Sequence, residues 1–306
     1  MTGKQSLVQK LRAQWVLLCM LVPGVVYYVL YRYVPIFMGV LLSVKKYNMQ
    51  KGVWGSPFAS PFFEHFMKFF QSTYCFRLIS NTLVLSATKM LLGLPIAVLL
   101  ALMLYECSHV RLRKLIQTIS YLPHFLSWVV IYGMCFLLFS ESTGIVNVAL
   151  RLVGAAPIQM FTSPDEFFWL IVLSDVWKAT GWSAIIYMAA ITDISPNLYE
   201  AAKIDGASKR QALCHITIPC IIPVIVLTLI LRCGSILDAG FEQILIMYNP
   251  TVRSSVDIID TWVYRSGLEN FNISLASAVG LFKSVVSFVL VVAVNLIAKK
   301  GGNELW

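Results

Sequence analysis

An all-α membrane protein with six transmembrane helices is the fold class that this sequence predicts, and three observations lead to it. Of its 306 residues, 58% are hydrophobic and 13% charged, against roughly 25% charged in soluble domains. Mean hydropathy is +0.76. Six apolar stretches, at 15–44, 78–104, 115–139, 167–191, 219–237 and 273–298, match the length of about 20 residues that a spanning helix needs. A water-soluble enzyme is excluded, because so few charged groups cannot coat a globule of this size.

Each element has its own justification. Lys4, Lys10 and Arg12 precede the first apolar stretch as in a signal peptide. The run outlasts an ordinary h-region and no A-x-A site follows, so an uncleaved first helix is expected. Arg32 and Pro35 interrupt it and predict a kink or tilt. The charges then orient the chain. Residues 1–14, 105–114, 192–218 and 299–306 hold 11 Lys and Arg over 59 positions, and the alternate segments hold 8 over 95. The denser set faces the cytoplasm, which places both termini there. The external loop 45–77 runs against the trend with five basic residues. In it Phe62, Phe63, Phe66, Met67, Phe69 and Phe70 mix with Glu64, His65 and Lys68, as in a short helix lying in the membrane interface.

The net charge of +9 reflects this topology and does not imply a nucleic-acid partner. Seven scattered cysteines have no C-x-x-C spacing, so neither disulfides nor a metal site are expected. No repeat or linker divides residues 1–306, which read as a single transmembrane domain.

The most informative stretch lies between the fourth and fifth apolar segments, at 192–218. Ser195-Pro196 is a good N-cap and first helical position. Asp205-Gly206 stops the helix two turns later. Ser208 with Gln211 makes a capping box that opens a second helix toward Thr217, and Pro219 opens the fifth span. The product is a helix–turn–helix elbow against the membrane face.

Glu200-Ala201-Ala202, three residues, Gly206, nine residues and then Ile216-Thr217-Ile218-Pro219 resemble the EAA loop of binding-protein-dependent ABC importers. The family pattern has Leu where Ile218 stands. The resemblance implies that 192–218 is a coupling loop seated in a cleft of a cytoplasmic ATPase. Glu200 would meet a basic partner, Ala201 and Ala202 would permit close docking, and Asp205 with Gly206 would set the elbow. Tyr121-Leu122-Pro123-His124, Ser174 to Lys178, Gly240 to Gln243, Val279 to Ser284 and the terminal Glu304-Leu305-Trp306 look like the polysaccharide or complex-oligosaccharide permeases of Gram-positive bacteria.

That resemblance implies a type I ABC importer permease in a Gram-positive plasma membrane, taking up an oligosaccharide. It also implies a second homologous permease, two ATPase subunits and an extracellular solute-binding lipoprotein. The chain has no G-x-x-x-x-G-K-[ST] motif, so ATP and Mg are assigned to the partner ATPase and no cofactor to this chain.

Charges inside apolar stretches are costly and point to function or pairing. Asp175, Lys178 and Trp182, spaced i, i+3, i+7, share a helical face. In maltose-type relatives the sugar contacts come from this region and from late in the next span, which by position is Cys233, Leu237 and Gly240, with Asp238 and Glu242 nearby. Carboxylates and aromatic faces suit sugar hydroxyls and ring faces, so Asp175, Lys178, Trp182, Leu237, Gly240 and Glu242 form the candidate path. The alternatives are structural ion pairs, Asp175 with Lys178 and Glu242 with Arg232. His124 is assigned to packing or a kink-associated hydrogen bond. The rival functions are an ABC permease for another solute such as a peptide, and a proton-coupled secondary transporter using Asp175, Lys178 and His124. The second lacks a matching half in the hydropathy pattern.

Overall fold

In the computed structural model, which describes residues 15–300, the first apolar stretch forms one long helix, α1 (Trp15–Ser43), in spite of Pro35. A π-turn solves the problem. The N–H of Val34 bonds to the carbonyl of Val29, five residues back, and Pro35 follows. A widened turn carries away the carbonyl that the proline ring would otherwise strike. The same device recurs before Pro219, where the N–H of Ile218 bonds to the carbonyl of Leu213.

Two compact units are distinguished, 15–72 with 263–282 and 73–262 with 283–300. No β-strand occurs among the described residues, only an isolated bridge between Lys45 and Phe58. In the first unit α1 leads into a loop and then α2 (Glu64–Gln71), the short helix expected among the phenylalanines. The backbone of Lys45 is the node of the loop. Its carbonyl accepts from the Ser274 hydroxyl at 2.6 Å and meets the His65 imidazole at 3.1 Å. Within α2, His65 and Phe69 are buried and Phe70 is exposed, and Phe62 and Phe63 just before it are exposed as well.

Glu64 receives Lys46 at 2.8 Å and Lys68 at 2.7 Å. The hydrogen bond from Lys46, then that from Lys68, lowers its carboxyl from 4.5 to about 2. A carboxylate depressed by folding stabilises above its unfolded value and loses that contribution as pH falls through the folded one. A spin label at Gln71 should therefore gain mobility in electron paramagnetic resonance spectra between pH 4.5 and about 2. Unchanged spectra over that range would contradict the assignment.

The second unit is built on α3 (Cys75–Glu106) and α7 (Pro164–Thr192). Gly93, Ala97 and Ala101 recur every four residues and are buried. Small side chains at this spacing let helix backbones approach closely. Between these helices come α4 (Val110–Tyr121), α5 (Trp128–Phe139) and α6 (Ile145–Leu152). After α7 come α8 (Pro196–Ile204), α9 (Lys209–Gly234), α10 (Phe241–Met247) and α11 (Ile259–Tyr264). Then α12 (Ile273–Lys300) crosses from one unit into the other.

Among the described residues four helices, α1, α3, α9 and α12, are long and apolar enough to cross a membrane. α7 has the length of a span, with Asp165, Glu166, Asp175 and Lys178 along it. The stretch 115–139 departs from expectation. It forms no single helix, because α4, prolonged by a tight turn at Leu122–Phe125, meets α5 at 108° across Leu126 and Ser127. Pro123 lies in that turn, and Leu126 and Ser127 are extended. Carbonyls at the break accept from Lys178, whose Nζ reaches His124 at 2.9 Å, Pro123 at 3.3 Å and Leu126. A hydropathy window reads composition and is blind to direction.

Gly181 of α7 lies where a Cβ would overlap the carbonyl of Ser120 in α4. Gly181→Ala should separate these helices and cost about 3 kcal/mol or more, at the upper end of overpacking. Gly133→Ala, whose Cβ would meet nothing within 4 Å, is the control. Equal thermal stability of the two purified variants would refute the close packing.

Candidate functional site

The elbow after α7 is built from local signals. α8 ends at Ile204, and Gly206 takes φ +78, the left-handed region that glycine occupies without strain. The N–H of Ala207 then bonds to the carbonyl of Ala202 at 2.9 Å and that of Gly206 to Lys203 at 3.2 Å, closing the helix end. Ser208 and Gln211 form the expected capping box. Ser195 holds the N-cap position without a side-chain capping bond, and its carbonyl accepts from Leu198. Unexpectedly, the second helix does not stop before Pro219. It continues as α9, since the π-turn at Leu213–Thr217 accommodates the proline. The Tyr199 hydroxyl meets that of Thr217 at 2.9 Å and ties α8 to the foot of α9.

The elbow presents exposed charges beside small residues. Glu200, Ala201, Asp205 and Gly206 are exposed, and Ala202 is half-buried. A groove of about 340 Å³ runs beside them, lined by Ala202, Asp205, Ala207, Gln211, Ala212, His215 and Ile216. Ile204, the last residue of α8, is 86% exposed. Small residues, a groove and an uncovered isoleucine suit a close protein contact rather than catalysis.

The second site is a polar layer between two apolar clusters. One cluster contains Leu85, Ile171, Val176 and Ile244, the other Ala97, Ala101, Ala184 and Tyr187. Along α3 the polar residues Ser86 and Lys89 and the small Gly93 fall between Leu85 and Ala97. Lys89 is 8% exposed. Its Nζ donates to the carbonyl of Ala239 at 2.9 Å and to Oε1 of Gln243 at 2.6 Å, and lies 3.6 Å from Asp175. Gln243 in turn donates to the Ile171 carbonyl at 2.7 Å and the Ser174 hydroxyl at 2.9 Å. Lys89 thereby pins the turn before α10, where Ala239 and Gly240 have φ of 47 and 86. Gly240 at φ +86 takes a conformation that glycine adopts without strain, and a Cβ there would lie 2.8 Å from that Nζ.

A cavity of about 280 Å³ opens beside this layer, lined among others by Ser86, Lys89, Asp175, Arg232, Asp238 and Gly240. Of the six candidate path residues the cavity gathers two, Asp175 and Gly240. Lys178 is engaged at the α4–α5 break, and Trp182 stacks on His124 with ring centroids 4.6 Å apart. Leu237 is buried at 3% exposure and Glu242 is exposed, and neither lines the cavity.

Both proposed ion pairs are replaced. Asp175 faces Lys89, not Lys178, and Arg232 donates to the Ser183 hydroxyl at 2.9 Å, not to Glu242. Lys283 bridges Asp238 at 2.6 Å and Asp260 at 2.7 Å. Lys89, Arg232 and Ser86 had stood outside the candidate path. The usable signal was a lysine in mid-span, too far from either end to reach the interface.

Comparison with known proteins agrees with this architecture. Residues 79–300 match the family described as binding-protein-dependent transport system inner membrane component. The polygalacturonan/rhamnogalacturonan transport system permease protein YteP of Bacillus subtilis is 39% identical over 301 residues, 98% of this chain and 93% of that protein. Protein LplB of the same organism is 39% identical, covering 96% and 91%. A solved bacterial ABC transporter involved in the import of the acidic polysaccharide alginate superposes with a TM-score of 0.88 at 38% identity, over 97% of this chain and 99% of that one. A second structure shows the alginate transporter in complex with alginate pentasaccharide-bound periplasmic protein, with a TM-score of 0.89 at 37% identity over 98% and 99%. From residue 79 to residue 300, and in relatives that span nearly the whole sequence, the chain belongs to the binding-protein-dependent transport system inner membrane components, the permease subunits of ABC importers.

Proposed function

We propose that this chain is one of two permease subunits of a Gram-positive ABC importer for an oligosaccharide, working by alternating access. The exposed elbow carries the reading, since it places small residues and a groove at the foot of α9. Two cytoplasmic ATPase subunits hold ATP and Mg, and this chain has no nucleotide site of its own. ATP-driven closure of the ATPases pushes on the coupling loop 192–218 through Glu200, Ala201, Ala202, Asp205 and Gly206. The tie between Tyr199 and Thr217 passes that push to α9, whose far end borders the cavity.

In this reading residues 1–306 act as one permease domain. It has six spans, with the bent α4–α5 pair as the third, both termini in the cytoplasm and 45–77 outside. A solute-binding lipoprotein delivers the sugar. Asp175, Lys178, Trp182, Leu237, Gly240 and Glu242 are the candidates for its path. The cavity favours Asp175 and Gly240 among them, as groups that meet the sugar. Lys178 and Trp182 act at one remove by holding the α4–α5 break.

Ala202→Trp tests this, because an indole would fill the elbow groove. The expected result is a subunit present in the membrane that no longer co-purifies with its ATPase. Retained ATPase binding, or solute uptake by liposomes containing this chain alone, would overturn the proposal. The second outcome would favour a proton-coupled transporter.

A further inference from the structure

We infer that Arg232 is the anion-recognising residue of the cavity and selects saccharides that carry carboxylates. The inference rests on the importer reading above and deepens it. Arg232 stands in the last turn of α9, half-buried, with its Nη1 3.7 Å from the position a Cβ would take on Gly93. The missing side chain at Gly93 is what lets the guanidinium lie against α3. Gly93 follows Lys89 by one helical turn, so the two cations occupy successive levels of one wall.

Their situations differ. Lys89 spends its donors on Ala239 and Gln243 and faces Asp175. Arg232 makes one side-chain hydrogen bond, to the neutral Ser183, and no ion pair among the described residues. A guanidinium has five N–H donors in a planar fork that matches a carboxylate, so most of its capacity is open to a ligand. A second polar group lining the same cavity has no partner at all among the described residues. The Ser86 hydroxyl has no hydrogen-bond partner, although Ser86 is only 8% exposed.

Attraction by net field is not the mechanism. Lys89, Arg232 and Lys283 balance Asp175, Asp238 and Asp260, and Lys283 serves two of those carboxylates. Position decides instead. A sugar acid placed here would give its carboxylate to Arg232 and a ring hydroxyl to Ser86, and Asp175 would accept a further hydroxyl. A neutral sugar would leave the guanidinium without a counter-charge in a low-dielectric site, which is unfavourable. The alginate named for the solved relatives is an acidic polysaccharide, in keeping with this chemistry.

The test uses the complete complex, with partner permease, ATPase and binding protein, in liposomes. The probes are tri-galacturonate and its methyl ester, which differ in charge and little in shape. Arg232→Gln should lower uptake of tri-galacturonate about tenfold or more, the cost of one charged hydrogen bond, and leave uptake of the ester unchanged. Arg232→Lys should recover part of the loss. Because the binding protein is unaltered, the ratio of variant to wild type isolates the permease.

An equal fall for both probes would make Arg232 structural, and no fall for either would remove it from the path. Wild-type complex that imports a neutral oligosaccharide but not tri-galacturonate would overturn this inference and leave the importer reading intact. No ATP-driven uptake of any saccharide would overturn both.

Discussion

Gly206→Val should abolish uptake by the assembled importer while the subunit still inserts and its ATPase still turns over, uncoupled from solute. The residue has φ +78, and a Cβ there meets nothing within 4 Å. No clash is created and no packing is lost, so the whole effect passes through the backbone. A residue with a Cβ pays about 1–2 kcal/mol in the left-handed region, and a β-branched one more. The chain relieves that strain by leaving the conformation that joins α8 to α9. The bonds from Ala207 to Ala202 and from Gly206 to Lys203 then open, and the elbow ceases to be a lever.

Asparagine tolerates left-handed geometry, so Gly206→Asn should retain most of the uptake. Uptake assays paired with ATP hydrolysis in the same liposomes separate the cases. Wild-type transport by the valine variant would remove Gly206 from coupling.

Lys89→Met should be the most destabilising single change in the polar layer, by about 2–3 kcal/mol, below the range for a fully buried ion pair because Asp175 is partly exposed. It strips the donor from the Ala239 carbonyl and from Gln243 and leaves Asp175 without a counter-charge. The turn at Ala239 and Gly240, both at positive φ, loses its anchor at the same time. A second substitution separates these losses. Adding Asp175→Leu removes the orphaned charge, so the double variant should recover much of the stability. Thermal denaturation of the purified complexes supplies the comparison. A double variant no more stable than the single would mean that Lys89 acts mainly on the turn.

How far each site was legible follows from the sequence separation of its partners. In the elbow, Ser208 caps with Gln211 and Gly206 closes on Lys203, each three residues away. Such bonds depend on residue type and local dihedral angles, and a pattern in the sequence expresses them directly. In the cavity, Lys89 reaches Ala239 across 150 residues and Gln243 across 154, and Lys178 reaches Pro123 across 55. Helical periodicity places Asp175, Lys178 and Trp182 on one face, but a shared face does not give a shared destination. Lys178 turned toward the α4–α5 break and Trp182 toward His124, while Asp175 met a lysine from another helix.

By itself the sequence determined the membrane class, five of the six apolar helices to within a few residues at most edges, and the elbow, because hydropathy and capping are summed over neighbours in the chain. The tertiary structure alone decided that 115–139 bends by 108°, which cation each carboxylate meets, and that Arg232 is the one left to face the cavity with a neutral partner. Those outcomes turn on which helices approach across Gly93 and Gly181. In a low-dielectric interior an unmatched charge or carbonyl is costly enough that such distant pairings settle the fold, though no local pattern records them.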